Sequence, residues 1–313
     1  MSSWVVPVTH WQAVGEAEDP FVHLAAHGHL LVSWPPAPFE RTPTYCYTID
    51  DQFWVWQPEV GGVRFNAQPP DLVLLPLAGT DRAAFLHLVS RSWLPAIYPI
   101  WQRQVLHASA VASEGSGDVI AFTGPSGAGK STTAYGVAQR RGWQLVADDT
   151  LAFSIDGHDR AEPRIDLYPL RNEARLRPAT AEYFGEREPT EIPFAWPVVD
   201  LRLRIVYALD ARDDHDGPPA YIELRAAESY PLLLQQAHAM TLSLREHNRR
   251  LMRDYLSLAA GIRVFRISFK KSFSDFGSVL DDIETHACRH GVTLGKTTPP
   301  FAADTGAAIA PGQ

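Results

Sequence analysis

Five side chains in the middle of the chain have the types and spacing needed to handle a phosphate. They are Lys130 and Ser131, then Asp148 and Asp149, with His107 upstream. The first two close the run Gly124-Pro125-Ser126-Gly127-Ala128-Gly129-Lys130-Ser131, which fits G-x-x-x-x-G-K-[ST], the phosphate-binding P-loop. Its glycines let the backbone turn tightly and aim N–H groups into one concavity at a helix N-terminus, a setting that suits an anion. Lys130 would reach the β- and γ-phosphates, and the Ser131 hydroxyl, followed by Thr132, would face Mg²⁺. A glycine turn that only caps a helix has no need of a Lys-Ser ending.

Asp148-Asp149 closes an apolar run one helix later. A carboxylate there would face the bound phosphates. One of the pair can ligate Mg²⁺, directly or through water, and the other can accept a proton from an attacking hydroxyl. Neighbouring residues on a strand point to opposite faces, so both acids serve one site only if the strand ends there. The blander alternative is an acidic turn. His107 sits in an extended run beside the P-loop strand, where it would hydrogen-bond a carboxylate and tune its proton affinity; taken alone it reads as an ordinary strand histidine. Arg171, Arg175 and Arg177 follow Tyr168-Pro169. One of them can stabilise charge on a moving phosphoryl group, or all three can form a solvated face. Arg245, Arg249, Arg250 and Arg253 read as surface charge along a helix, with a hold on an acidic substrate as the alternative.

The elements around these groups are legible as short strands and a few helices. Asp118 to Phe122 is a buried strand entering the loop, and Lys130 to Arg140 is the helix leaving it. Val105 to Ala112 is a strand pairing antiparallel with the loop strand through the turn Ser113 to Gly117. Gln144 to Ala147 carries the two acids, and Leu151 to Ile155 and Ile165 to Leu170 extend further. Pro178 to Phe184 is a short helix, Glu188 to Pro197 a proline-rich loop, and Leu203 to Leu209 a strong strand. Tyr221 to Leu224 is another strand, Glu228 to about Leu258 one long helix, Ile262 to Phe269 a strand, and Asp275 to His290 a last amphipathic helix. Upstream, Tyr45 to Ile49 and Phe53 to Gln57 form a hairpin across Asp50-Asp51. Asp71 to Leu77 is a further strand, and Asp81 to Trp101 is helical with an interruption near Pro95. Trp54, Trp56, Trp93 and Trp101 read as sheet packing rather than a ligand-stacking surface. The fold class is thus α/β with a mixed sheet: a β-rich N-terminal region over 1–100, a P-loop region over 101–296, and a disordered tail over 297–313.

Composition narrows the classes. The 313 residues are 45% hydrophobic and 20% charged with a net charge of −8, which gives no nucleic-acid footprint. Two cysteines, Cys46 and Cys288, have neither disulfide-framework nor zinc spacing, which points to a reducing cytoplasm. Met1-Ser2-Ser3-Trp4 lacks the start of a signal peptide, and no apolar run is long enough for a membrane span.

Together, LHASAV (106–111), FTGPSGAGKST (122–132) and LVADD (145–149) resemble the HPr serine kinase/phosphorylase family, and more closely the shorter HPr-kinase-like proteins of bacterial gene clusters. Some of those phosphorylate the C-terminal serine of a lasso-peptide precursor. The resemblance implies a core like that of phosphoenolpyruvate carboxykinase. It implies an ATP- and Mg²⁺-dependent transfer to a serine hydroxyl of a peptide or small protein. Gly124 to Thr132 would form the nucleotide loop. Asp148 would be the general base, Asp149 and Ser131 the metal side, His107 the histidine that tunes Asp148, and Lys130 with Arg175 the charge on the moving phosphoryl group. The family's glutamate-arginine-glycine signature is missing; Arg171 to Arg175 is a loose substitute, so HPr itself and the reverse phosphorolysis are not implied. The family's hexamers leave a homo-oligomer open. Two alternatives stand beside this reading: a small-molecule kinase acting on a free amino acid or a sugar, and a nucleotide-binding switch without transfer. The absence of an NKxD segment favours ATP over GTP.

Overall fold

The computed structural model describes residues 8–12, 14–15, 20–35, 42–68, 71–158, 163–168, 173–186, 191–193, 200–237 and 245–294. The tail expected over 297–313 and the side chain of Arg171 lie outside them.

The chain opens with β1 (Val8–Trp11), α1 (Phe21–His27), β2 (His29–Trp34), β3 (Thr44–Ile49), β4 (Gln52–Gln57), β5 (Gly61–Asn66) and β6 (Asp71–Pro76). The strands form one sheet in the order β1-β6-β5-β4-β3-β2, an antiparallel meander with β1 added parallel to β6. The β3–β4 turn is tight because Asp50 and Asp51 both take positive φ, 48° and 62°, the twist a two-residue hairpin needs. Trp56, Trp93 and Trp101 are buried, and Trp54 lies under the Arg64 guanidinium, so the tryptophans do pack the sheet. Gly62 pairs with Trp56 across β4 and β5, and a Cβ there would overlap both the Trp56 ring and the Val55 carbonyl. Gly62→Ala is therefore expected to cost about 2 kcal/mol through overpacking, read as a lowered urea midpoint; an unchanged midpoint would contradict this packing.

The helical stretch after β6 is unbroken but changes type along its length. It runs as α2 (Arg82–Leu88), a π-helical turn over Val89–Trp93, and α3 (Leu94–Ile97). Asp81 caps α2 by accepting from the Ala84 N–H at 2.8 Å. The change of helix type comes directly before Pro95, which has no N–H and whose ring would crowd the carbonyl four residues back.

Next come β7 (Gln104–Leu106), β8 (Ala108–Ser113), β9 (Asp118–Thr123), α4 (Lys130–Ala138), β10 (Trp143–Ala147), β11 (Leu151–Asp156), β12 (Arg164–Tyr168), β13 (Glu173–Arg175), α5 (Pro178–Phe184) and β14 (Glu191–Pro193). They are followed by β15 (Arg202–Arg212), β16 (Ala220–Leu224), α6 (Ala226–Gln235), α7 (Arg245–Gly261), β17 (Arg263–Lys270) and α8 (Phe276–Arg289). The main sheet has the order β10-β8-β9-β15-β17-β16, with β9, β15 and β17 parallel and β8 antiparallel to β9. A smaller sheet, β12-β11-β7, lies beside it.

Three expectations need correction. The run Val105 to Ala112 is two strands in two sheets, broken at His107, whose N–H donates to the Gln236 carbonyl at 2.7 Å. The helix expected from Glu228 to Leu258 is two helices separated by residues 236–244, of which 238–244 lie outside the description. Within the proline-rich loop, Glu191–Pro193 pairs antiparallel with Glu173–Arg175.

The parallel core positions the site. β9, β15 and β17 are apolar on both faces, with Ile120, Phe122, Ile205, Tyr207 and Ile267 buried on one and Val119, Ala121, Val206 and Val264 on the other, as sheets covered on both sides require. α8 covers one face, placing His286 against Tyr221 with ring centroids 3.8 Å apart and planes 9° apart. Burial, reinforced by His290, Arg263 and Arg289, pushes the His286 imidazole down from 6.5 to about 4. Its folded pKa lies below the unfolded one, so its contribution to stability is full above about pH 6.5 and is lost as the pH falls toward about 4. His286→Gln should flatten the fall in thermal midpoint across that window; an equally steep fall would refute this.

Candidate functional site

Every strand end that matters reaches one edge of the main sheet. β9, β15 and β17 finish there, β10 finishes there as well, and the antiparallel β8 begins there. Ligands bind at such C-terminal edges of parallel sheets because the connecting loops diverge and leave a crevice. A cavity of about 950 Å³ opens at this edge.

Its floor is the glycine-rich loop. Gly124, Gly127 and Gly129 have φ of 144°, 85° and 94°, values that exact a penalty from any residue with a Cβ. A Cβ at Gly124 would also come within 3.0 Å of the Leu209 carbonyl on β15, so the close approach of loop and sheet requires glycine. Gly129 is the N-cap of α4 and directs that helix's free N–H groups toward the cavity. Lys130 is almost fully buried, with its ammonium donating to the carbonyls of Gly124 at 3.0 Å and Pro125 at 3.4 Å. Burial lowers its pKa, while Asp149 and Asp148 act in the opposite direction. Ser126 to Thr133 all line the cavity; Gly124 and Pro125 form the loop's base beneath Lys130.

The two acids follow β10, where the strand ends, and both line the cavity. They are held differently. Asp148 is buried, accepting from the Ser109 hydroxyl at 2.8 Å and from the Arg175 backbone N–H at 3.0 Å. Asp149 is partly open and takes a φ of 66°, a left-handed conformation that a non-glycine residue adopts at a cost. His107 Nδ1 lies 2.9 Å from the Asp149 carbonyl oxygen and 3.3 Å from its carboxylate. The expected partnership of His107 with Asp148 is thus not the one formed. The break between β7 and β8 sets His107 toward Asp149, while Ser109, two residues on along the chain, reaches Asp148.

No family model matches the chain, and no curated protein matches it. Among solved structures, it is similar to the Hpr(Ser) kinase/phosphatase from Coxiella burnetii. That likeness has 14% identity over 59% of this chain and 97% of that one, with a TM-score of 0.32. The cavity's own residues carry the functional argument.

Three arginines line the walls. Arg175 contributes its backbone N–H to Asp148, and its side chain is exposed. The Arg177 guanidinium approaches the loop, within 3.9 Å of where a Cβ on Gly127 would stand. Arg91 arrives from the π-helical turn of the N-terminal part. Sequence reading missed Arg91, Ser109 and Thr180, whose hydroxyl is 3.0 Å from that of Thr132 and ties α5 to α4. Ser109 had a usable signal, since two-residue spacing puts it on the same strand face as His107. Arg245, Arg249, Arg250 and Arg253 are not among the cavity residues, and Arg250 pairs instead with Glu246 at 3.6 Å. No helix among the described residues is long and apolar enough to cross a membrane.

The oxygen donors fit a magnesium ion. The Ser131 hydroxyl and the carboxylates of Asp148 and Asp149 share one cavity with the loop. Mg²⁺ prefers such hard oxygens, and it needs few from protein when phosphate and water supply the rest.

Proposed function

We propose that the protein is an ATP- and Mg²⁺-dependent kinase that transfers the γ-phosphoryl group to a serine hydroxyl of a peptide or small protein, of the kind represented by the C-terminal serine of a lasso-peptide precursor. What supports this is one juxtaposition: a Lys-Ser glycine loop and two adjacent carboxylates open into the same cavity. Nucleotide binding alone accounts for the loop. A carboxylate that opens into the cavity beside a histidine can accept a proton from an attacking hydroxyl.

In this reading, the N–H groups of the loop and the Lys130 ammonium cradle the phosphates. Lys130 would leave the carbonyls of Gly124 and Pro125 when phosphate oxygens replace them. Asp149 takes the proton from the acceptor hydroxyl, and His107 orients it. Asp148, whose oxygens already hold Ser109 and the Arg175 N–H, faces the metal side with Ser131. This is the opposite of the assignment that the resemblance implies for the two acids, and the different hydrogen-bonding of the two carboxylates supports it. Bound Mg²⁺ would neutralise phosphate charge.

The test is transfer of labelled γ-phosphate from ATP–Mg²⁺ to a pool of serine-ended peptides, beside a pool of free amino acids and sugars, with Asp149→Asn as control. Label on a peptide, lost in the variant, is the expected result. Label only on a small molecule would replace the acceptor class. Tight nucleotide binding with no label in either pool would favour the switch.

A further inference from the structure

The cavity has a second character on the side away from the acids. The strand order β10-β8-β9-β15-β17 places Asp148, Asp149 and His107 to one side of the glycine loop and the ends of β15 and β17 to the other. On that second side the wall is aromatic: Phe269, Phe273 and Phe276 line it. Phe273 lies nearly parallel to Tyr183, with centroids 4.7 Å and planes 21° apart. Phe276 meets both rings edge-on, at 87° to Phe273 and 73° to Tyr183. The Thr132–Thr180 contact fixes the first turn of α5 against that of α4, which keeps Tyr183 beside the loop. Both rings are nevertheless open: Tyr183 is 40% exposed and Phe273 38%. Stacked aromatic rings left open at a cavity wall call for a flat partner.

We propose that Phe273, backed by Tyr183, is the stacking platform for the purine base of the donor nucleotide. This rests on the kinase reading of the same cavity. A nucleotide whose phosphates lie on the loop, with the γ-phosphate toward Asp149, must run its base the other way, over the ends of β15 and β17. Phe273 offers a π-face there, and Lys271 and Ser272 on the same wall offer polar groups for the sugar and its phosphate. A base stacks on an aromatic ring through its own π-face, so the platform accepts a purine without choosing adenine over guanine.

The test compares binding of ADP and of inorganic pyrophosphate, both with Mg²⁺, to the wild type, Phe273→Leu and Phe273→Tyr by calorimetry. Phe273→Leu keeps an apolar side chain at a partly exposed position, and Phe273→Tyr keeps the ring. The expected result is ADP affinity reduced about tenfold in Phe273→Leu, the order of one lost base–aromatic stack. Pyrophosphate affinity should be unchanged in both variants and ADP affinity retained in Phe273→Tyr. Unchanged ADP affinity in Phe273→Leu overturns the platform, as does an equal loss for both ligands. A wild type that binds pyrophosphate as tightly as ADP also overturns it while leaving the kinase reading standing. A wild type that binds neither ligand removes the kinase reading and the platform with it.

Discussion

Asp149→Asn is expected to lower phosphoryl transfer about a thousandfold while leaving the thermal midpoint unchanged, within the range that loss of a general base produces. The substitution is well suited to the position. Asparagine tolerates the left-handed backbone that Asp149 adopts at φ 66°, so the fold is not asked to relax. It keeps the shape of the carboxylate while removing its charge and its ability to take a proton. Asp148→Asn has a different signature. Asp148 is buried, with a hydroxyl on one oxygen and a backbone N–H on the other. An amide that keeps the Arg175 N–H on its oxygen turns its NH₂ toward Ser109, whose hydroxyl must then rotate to accept and gives up its own buried donation, a loss of about 0.5–1.5 kcal/mol. Asp148→Asn should therefore lower the thermal midpoint as well as activity. Transfer rates and melting curves on the two variants decide the matter. If Asp149→Asn retained activity and Asp148→Asn lost it without melting earlier, Asp148 would be the base after all.

The contrast between these two acids marks where sequence reading stops. The glycine loop is local: its three positive-φ positions are glycine because the backbone demands it, and the flanking strand and helix follow in order. The double aspartate is local too. Which of the two faces His107 is not, because it depends on a strand breaking at His107 and passing from one sheet to another. Nothing in the run from Val105 to Ala112 signals that break, since every residue there is compatible with one continuous strand. The same limit applies to α6 and α7. The leucines keep helical spacing across both, and Pro231, the only strong breaker, sits inside α6 rather than at its end. Arg91 was the least accessible. Its contribution comes from a tertiary contact between the N-terminal helices and the strands that carry the site, with Trp101 and Tyr98 packed in one apolar cluster with Val105 and Ala152.

That contact leads to the second large effect, Arg91→Ala, expected to lower kcat by at least about a hundredfold with nucleotide affinity unchanged. An arginine supplied to a moving phosphoryl group acts on charge that develops in the transition state, so its loss falls on turnover rather than on ground-state binding. Two observations favour Arg91 over the expected Arg175. The Arg175 contact with Asp148 runs through its backbone and its side chain is exposed, whereas Arg91 is half-buried where it lines the cavity. The helix also widens where Arg91 sits: the Leu94 N–H donates to Val89, five residues back, and this π-turn removes the clash that Pro95 would make with the Arg91 carbonyl. Because Val105 and Ala152 belong to β7 and β11, the same packing places Arg91 on the side of the loop where His107 and Asp149 lie. Arg91→Lys should recover only part of the rate, since an ammonium cannot reproduce the planar fork. Steady-state kinetics with calorimetric nucleotide affinities measure all of this. A kcat that stays level while the KM for the acceptor rises would move Arg91 from the phosphoryl group to the acceptor. A loss confined to nucleotide affinity would place it on the donor instead.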